Sequence, residues 1–272
     1  MKTLCAYNEK GGVGKSFFNI ALSYELAKTS RVLLIDADCQ SNASKKTCSI
    51  DDLKNSISLI DALIYDLNLE DIIIKQPIKT MPNLDFVRCE NRLIELEEVL
   101  FKSKSPQTFV LEYMQKNINT LNNYDYVIID IGPTFSTYAL NFLIMVDSLI
   151  MIAEDNNIDS VDGVNDFLKH YKKHLDKIGI ESAKTVVLMN KVRNIKSNVK
   201  ETFNEILSKY PSVHSLMLNT QIHETTIIKA ALMRKQSVVD FANKHRGNSN
   251  SKKRLVQEMT DIMKELKEKG LI

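Results

Sequence analysis

A short apolar run, Thr3 to Tyr7, leads into Lys10-Gly11-Gly12-Val13-Gly14-Lys15-Ser16, and the residues that follow have the apolar spacing of a helix. No other stretch restricts the fold of this chain as tightly. A strand, a glycine-rich turn and a helix start together form a cradle for an anion. Backbone N–H groups and the positive end of the helix dipole point the same way, and glycines let the backbone come close. In that frame Lys15 reaches the β- and γ-phosphates of a nucleotide, and the Ser16 hydroxyl ligates Mg²⁺. The common form of the motif has glycine five positions before Gly14, where this chain has Glu9; a second lysine, Lys10, opens the loop instead.

The remaining residues supply the sheet that such a loop needs. Arg31 to Asp36, Tyr126 to Ile129, Ser148 to Ile152 and Thr185 to Met189 read as buried parallel strands, with Leu84 to Val87 and Val213 to Leu218 as weaker ones. Helical spacing marks residues 15–28, 59–66, 90–101, 108–120, 159–177, 197–209, 224–233 and 252–269. The alternation predicts an α/β fold, a doubly wound, mostly parallel sheet with helices on both faces. The chain's 272 residues fit one large domain over 1–272, with a polar loop at 244–251 but no dividing linker.

A hydrophobic share of 44% and a charged share of 26% are those of an ordinary globular protein. No apolar run nears the ~20 residues of a membrane span, and the N-terminus has no signal-peptide pattern. Cys5, Cys39, Cys48 and Cys89 show no CxxC spacing, which points to reduced thiols and a cytoplasmic location. The histidines lack carboxylate or cysteine partners at ligand spacing; His170 and His174 could share a helix face, but without a glutamate between them. Charge is unevenly spread. Residues 190–272 hold 16 Lys/Arg against 8 Asp/Glu, whereas the other 189 hold 20 against 26. A basic third suits contact with DNA or an acidic membrane, and solvated helix faces produce the same pattern.

Two carboxylate motifs fall at predicted strand ends, where a doubly wound sheet places its ligand. One is Asp36-Ala37-Asp38-Cys39-Gln40-Ser41-Asn42, after an apolar strand. The other is Tyr124-Asp125-Tyr126-Val127-Ile128-Ile129-Asp130-Ile131-Gly132-Pro133-Thr134. An apolar strand ending in aspartate, here Asp130, is an arrangement that holds Mg²⁺ directly or through water.

Together these motifs resemble those of the ParA/MinD class of ATPases, whose deviant phosphate loop carries the extra lysine. The first carboxylate motif is similar to the family's D-x-D-P-Q-x-N and the second to its Y-D-x-I-I-I-D-x-P-P-S. Cys39 and Gly132 stand where the family has proline, which should loosen both loops. The resemblance implies an ATPase that uses ATP and Mg²⁺. Lys10, Lys15 and Asp38 would be catalytic, with Asp38 orienting the attacking water and Asp36 supporting it. Nucleotide contacts would run through Lys10, Gly11, Gly12, Val13, Gly14, Lys15, Ser16 and Phe17, and metal contacts through Ser16, Asp38 and Asp130. Asn190 closes Leu188-Met189-Asn190-Lys191, where relatives contact the base; it reads equally as a strand-end turn residue.

The resemblance further implies a homodimer formed on ATP binding, with Lys10 crossing to the partner's phosphates. The dimer would bind DNA non-specifically, with contacts among Lys191, Arg193, Lys196, Arg234, Lys235, Lys244 and Arg246. Hydrolysis would be stimulated by a ParB-like centromere-binding protein, giving a cytoplasmic, nucleoid-associated partition ATPase. The first strand opens the chain, so the helix-turn-helix extension of larger plasmid ParA proteins is not expected. Alternatives within the class are a positioning ATPase for another cargo and a MinD-like membrane-cycling ATPase. The last helix has an apolar stripe of Leu255, Met259, Ile262 and Leu266, many acids and no aromatic residue. Such a helix is expected to dock on the core, without stable membrane association. Nitrogenase-iron-protein relatives need paired cysteines, and none follows Cys89. A non-hydrolysing nucleotide-gated scaffold is the reading from outside catalysis; the joint presence of Lys10, Asp38 and Asp130 speaks against it.

Overall fold

Six parallel strands lie side by side in the order β3-β2-β4-β1-β5-β6. This computed structural model describes residues 1–155, 157–193, 205, 207–244 and 250–272, apart from the Leu93 side chain. In chain order the first half comprises β1 (Lys2–Tyr7), α1 (Lys15–Leu26), β2 (Val32–Ala37), α2 (Asn42–Thr47), α3 (Ile50–Asn55), α4 (Leu59–Tyr65), α5 (Leu69–Ile72), β3 (Leu84–Val87), α6 (Leu93–Lys102), α7 (Phe109–Lys116) and α8 (Ile118–Leu121). The second half comprises β4 (Tyr126–Ile131), α9 (Thr137–Leu143), β5 (Ser148–Glu154), α10 (Ile158–Ile178), β6 (Lys184–Asn190), α11 (Pro211–His214), α12 (Ile227–Met233), α13 (Val238–Lys244) and α14 (Asn250–Glu268).

Strand side chains alternate between two cores, as the pleat requires. Leu4 and Ala6 of β1 enter one core, together with Phe18 of α1, Leu232 of α12, Val238 of α13 and Met259 of α14. Cys5 and Tyr7 enter the other, with Leu59 of α4, Leu96 of α6, Val110 of α7, Phe142 of α9 and Phe167 of α10. The predicted doubly wound layering is therefore present. Because every pairing is parallel, the ends of β1, β2, β4, β5 and β6 share one edge of the sheet.

Two sequence expectations are corrected. Residues 108–120 form two helices instead of one, broken at Asn117. That buried side chain accepts a hydrogen bond from Leu69 N at 2.8 Å and donates to Tyr113 O at 2.9 Å, so it anchors α5 at the cost of helical continuity. Val213 to Leu218 form no strand: Pro211 starts a short helix, and only Met217 reaches the sheet edge, bridging Val187. Of the helix expected over 197–209, most lies outside the described residues.

The stripe on α14 is used inside the molecule, since Leu255, Met259, Ile262 and Leu266 are all buried against the α1 side of the sheet. No helix among the described residues is long and apolar enough to cross a membrane. Ile262→Ala removes a fully buried side chain and should lower unfolding free energy by about 2–5 kcal/mol in urea titrations. An unchanged midpoint would contradict the docking of α14.

Candidate nucleotide site

The loop after β1 turns through Gly12 at φ 79° and Gly14 at φ 106°, conformations that side chains disfavour. Gly14 is also the N-cap of α1 and offers no side-chain cap, so the first N–H groups of the helix stay open to a ligand. A Cβ there would collide with the carboxamide of Asn190, whose Nδ2 donates to Val13 O at 2.7 Å. Asn190 is thus drawn onto the loop itself. From below, Asn8 braces the turn: its Nδ2 donates to Ile152 O at 2.6 Å, and its Oδ1 accepts from Lys10 N at 2.7 Å. Val13 is buried in the core, while the Lys46 ammonium lies 5.2 Å from the Phe17 ring centroid. Lys15 folds back over the loop and donates to Lys10 O at 2.9 Å. Burial lowers its pKa, partly offset by the charges of Asp130 and Asp38.

Beside this loop stand two buried carboxylates, Asp36 and Asp130, paired in register at the ends of β2 and β4. Asp36 is well supplied with donors. Its Oδ2 accepts from Ser44 N and Ser44 Oγ, both at 2.7 Å, and its Oδ1 from Asp38 N at 3.1 Å. Asp130 Oδ1 accepts from Asn19 Nδ2 at 2.8 Å, and Asn19 Oδ1 takes Ala6 N at 2.8 Å, which stitches α1 to β1 and β4. Asp130 Oδ2 has no hydrogen-bond partner. The Ser16 hydroxyl lies close enough to draw the Asp130 pKa down without a bond of good geometry. Burial dominates nonetheless: it raises Asp130 to about 6, with the Asp38 charge adding, and Asp36 to about 7, with the Asp130 charge adding. A buried carboxylate with a free oxygen beside the Ser16 hydroxyl offers oxygen donors that fit a small hard cation such as Mg²⁺.

Asp38 closes the site from the β2 side, where its Oδ1 accepts from Gln40 N at 2.9 Å. A Cβ on Gly132 would stand 3.0 Å from that same oxygen. Gly132 therefore admits Asp38 against the β4 loop, a role beyond the loosening expected of it. Asp38, Cys39, Gln40, Gly132, Pro133 and Thr134 line a cavity of about 170 Å³.

Lys10 is engaged within the chain. Its ammonium donates to Asn157 Oδ1 at 2.9 Å and stands 4.0 Å from Asp159 Oδ2, at the start of α10. Asn157 Nδ2 in turn donates to Glu154 Oε2 at 3.1 Å, and the other oxygen of Glu154 accepts from Lys191 Nζ at 3.0 Å. Lys191 is thereby engaged at the nucleotide edge, and Arg193 is bound to Glu224 through two hydrogen bonds. The seven basic residues expected to meet DNA do not behave as one set. Arg234 and Lys235 follow the end of α12, and Lys244 ends the adjoining α13; Lys196 and Arg246 lie outside the described residues.

Sequence reasoning passed over Asn8, Asn19, Ser44 and Asn157, which orient the reactive groups without belonging to any motif. It also left His223 without a partner. His223 Nδ1 lies 2.6 Å from Glu258 Oε1 on α14, and Glu265, two turns further along the same face, accepts from Asn219 N and Thr220 N at 2.8 and 2.7 Å. The last helix thus clamps the loop after α11.

The acid pair has a measurable consequence. Both carboxyls bind protons more tightly in the folded chain than at the ordinary value of 3.8, so they favour folding where they are protonated. Nucleotide-free protein should lose stability as pH rises from about 4 through about 7. Asp130→Asn keeps the acceptor for Asn19 and removes one charge. It should be more stable than the parent at pH 8, by on the order of 2 kcal/mol and with a higher melting temperature, and melt at nearly the same temperature near pH 4. Equal melting of both proteins at pH 8 would remove the strain assigned to this pair.

Comparison with known proteins agrees with this fold. The family model described as "AAA domain" matches residues 1–182. The sporulation initiation inhibitor protein Soj of Bacillus subtilis is 30% identical over 153 residues, 55% of this chain and 57% of Soj. The chromosome partitioning protein ParA of Caulobacter vibrioides is 30% identical over 152 residues, 56% of this chain and 55% of that protein. The chain thus spans a little over half the length of the curated relatives it matches. In fold, the McdA–ATP complex from Cyanothece superposes with a TM-score of 0.75 at 19% identity, covering 97% of this chain and 96% of that one. With the family match spanning well over half of its residues, the chain belongs to the AAA domain family, as a protein of the ParA/MinD ATPase type.

Proposed function

We propose that this protein is a DNA-segregation ATPase that dimerises on ATP, binds DNA without sequence preference and lets go when a ParB-like partner stimulates hydrolysis. The observation that carries the reading is the unpartnered, fully buried Asp130 Oδ2, set beside Lys15 and Ser16 at the open N-terminus of α1. An empty monomer gains nothing from such an oxygen, whereas a triphosphate with Mg²⁺ would use every one of these groups. The partitioning relatives support the cargo, and the apolar stripe of α14, spent on the core, favours DNA over a membrane-cycling role.

Each residue has a task in this scheme. The N–H groups of the loop and Lys15 would neutralise phosphate charge, and Ser16 and Asp130 would hold Mg²⁺, which would supply further charge neutralisation. Asp38, pressed against Gly132, accepts a hydrogen bond from water and orients it toward the γ-phosphate, because phosphoryl transfer asks chiefly for positioning. Lys10 leaves Asn157 and Asp159 on dimerisation and meets the phosphates held by the partner subunit. Release from DNA follows when hydrolysis removes the charge that Lys10 bridges. Arg234, Lys235 and Lys244 form the part of the basic third best placed to meet DNA, and that binding should weaken steeply with salt.

Two substitutions separate binding from turnover. Lys15→Ala should weaken fluorescent-nucleotide binding about tenfold to a hundredfold while circular dichroism stays unchanged. Lys10→Ala should bind nucleotide nearly as the parent does, yet lose dimerisation in size-exclusion chromatography and about a hundredfold or more of its ATPase rate. Parental turnover in Lys10→Ala would exclude the lysine from the transition state and remove the main support for a two-nucleotide dimer.

A further inference from the structure

Lys10 and Lys15 belong to the phosphate loop, and a further lysine reaches its margin from a separate element. Lys46 lies in the last turn of α2, half-buried, with its ammonium 5.2 Å from the centroid of the Phe17 ring. Phe17 follows Ser16 in the first turn of α1. Helical side chains lean toward the N-terminus of their helix, so a cation over that ring is placed toward the anion cradle. The neighbours of Lys46 fix this arrangement. Ser44 Oγ donates to Asp36 Oδ2 at 2.7 Å, which ties α2 to the end of β2. Tyr24 Oη donates to Thr47 Oγ1 at 3.5 Å, two turns further down α1 than Phe17. α2 therefore lies along α1, with Lys46 directed to the end at which the phosphate loop opens.

Lys46 is held there without being neutralised. Its Nζ donates to Asn42 O at 3.0 Å, one turn back in the same helix, and it forms no ion pair with a carboxylate among the described residues. An ammonium has three protons to donate, and the carbonyl takes one of them. The ring of Phe17 steadies the charge but does not cancel it. We propose that Lys46 is a further nucleotide-binding residue, a cation that takes the α- and β-phosphates, the part of the phosphate chain that ATP and ADP share.

The inference rests on the nucleotide reading given above. In a phosphate loop the backbone N–H groups cradle the α- and β-phosphates, while the loop lysine reaches the β- and γ-phosphates. The opening bond of α1 runs from Phe18 N to Gly14 O at 2.9 Å, so the Phe17 N–H precedes the ladder of the helix and belongs to that cradle. A cation beside Phe17 stands with those N–H groups, at the phosphates they hold. Its charge sits on a flexible four-carbon stem, so it can exchange Asn42 O for a phosphate oxygen while α2 stays where it is. A contact to the shared phosphates strengthens ATP and ADP binding alike. Discrimination between the two is then left to the groups assigned to the γ-phosphate, Lys10 and Asp38.

The test titrates the full chain, with Mg²⁺, against fluorescent analogues of ATP and ADP. Lys46→Met keeps an apolar stem over the Phe17 ring and removes the charge. We expect its Kd for both analogues to rise by about tenfold and by the same factor, with circular dichroism and melting temperature unchanged. Lys46→Arg, which keeps the charge, should restore affinity to within about threefold of the parent. Phe17→Leu should weaken binding in the parent and add little in Lys46→Met, because the ring acts through the lysine. Parental affinity in Lys46→Met overturns the inference. So does a loss confined to the ATP analogue, which would put the lysine at the γ-phosphate. A loss that Lys46→Arg does not restore, or one that comes with a lower melting temperature of the nucleotide-free protein, assigns Lys46 to the packing of α2 and overturns it as well. A parent that binds neither analogue sinks the nucleotide reading itself, whereas a parent that binds both and is unaffected by Lys46→Met sinks only the role of Lys46.

Discussion

The molecule is organised around one costly arrangement, two carboxylates buried side by side at the ends of β2 and β4. Burial of a charged group is unfavourable unless donors or a counter-charge answer it. Asp36 is answered within the chain by Ser44 and the backbone of Asp38, and it forms part of the scaffold. Asp130 is hydrogen-bonded on only one oxygen, by Asn19, with the Ser16 hydroxyl and the Lys15 charge nearby. The difference between these neighbours separates a supporting residue from a ligand-seeking one. Their raised pKa values record the same imbalance, which a bound cation would relieve.

Much of the surrounding structure keeps that unanswered oxygen in place. Asn19 holds Asp130 while pinning α1 to β1, so the helix that presents Lys15 and Ser16 cannot move independently of the acid they face. Asn8 fixes the loop above β1, and Asn190 fixes it from the end of β6. Gly14 and Gly132 serve by what they lack. At Gly14 the missing side chain makes room for Asn190, and at Gly132 for the carboxylate of Asp38. Lys10, by contrast, is tied to the start of α10 by side-chain contacts alone, through Asn157 and Asp159. Partly exposed contacts of this kind are individually weak, which suits the change of partners proposed for Lys10.

The C-terminal region plays a structural part that its charge does not announce. α14 buries one apolar stripe against the sheet and uses Glu258 and Glu265 to hold the loop running from Asn219 to His223. Acids that would look like solvent-facing residues on a helical wheel are spent on backbone N–H groups of that loop. The basic residues around them are likewise divided, some into ion pairs at the nucleotide edge and others onto the surface of α12 and α13.

The amino-acid sequence by itself determined the parallel α/β architecture, because apolar runs of strand length alternate with helix-period segments and leave few other ways to bury both. It also determined the phosphate loop and the roles open to Lys15, Ser16 and Asp130, since these depend on spacing along a single turn or at a single strand end. The clearest false strand, Val213 to Leu218, failed for a local reason: a proline starts a helix there, and one bridge to Val187 is all the sheet edge accepts. What only the tertiary structure decided involves residues distant in sequence. The pairing of Asp130 with Asn19 and the approach of Asp38 to Gly132 each join residues of separate elements. Periodicity carries no record of such encounters, because they follow from strand order, and strand order is set by how the helices pack over both faces of the sheet.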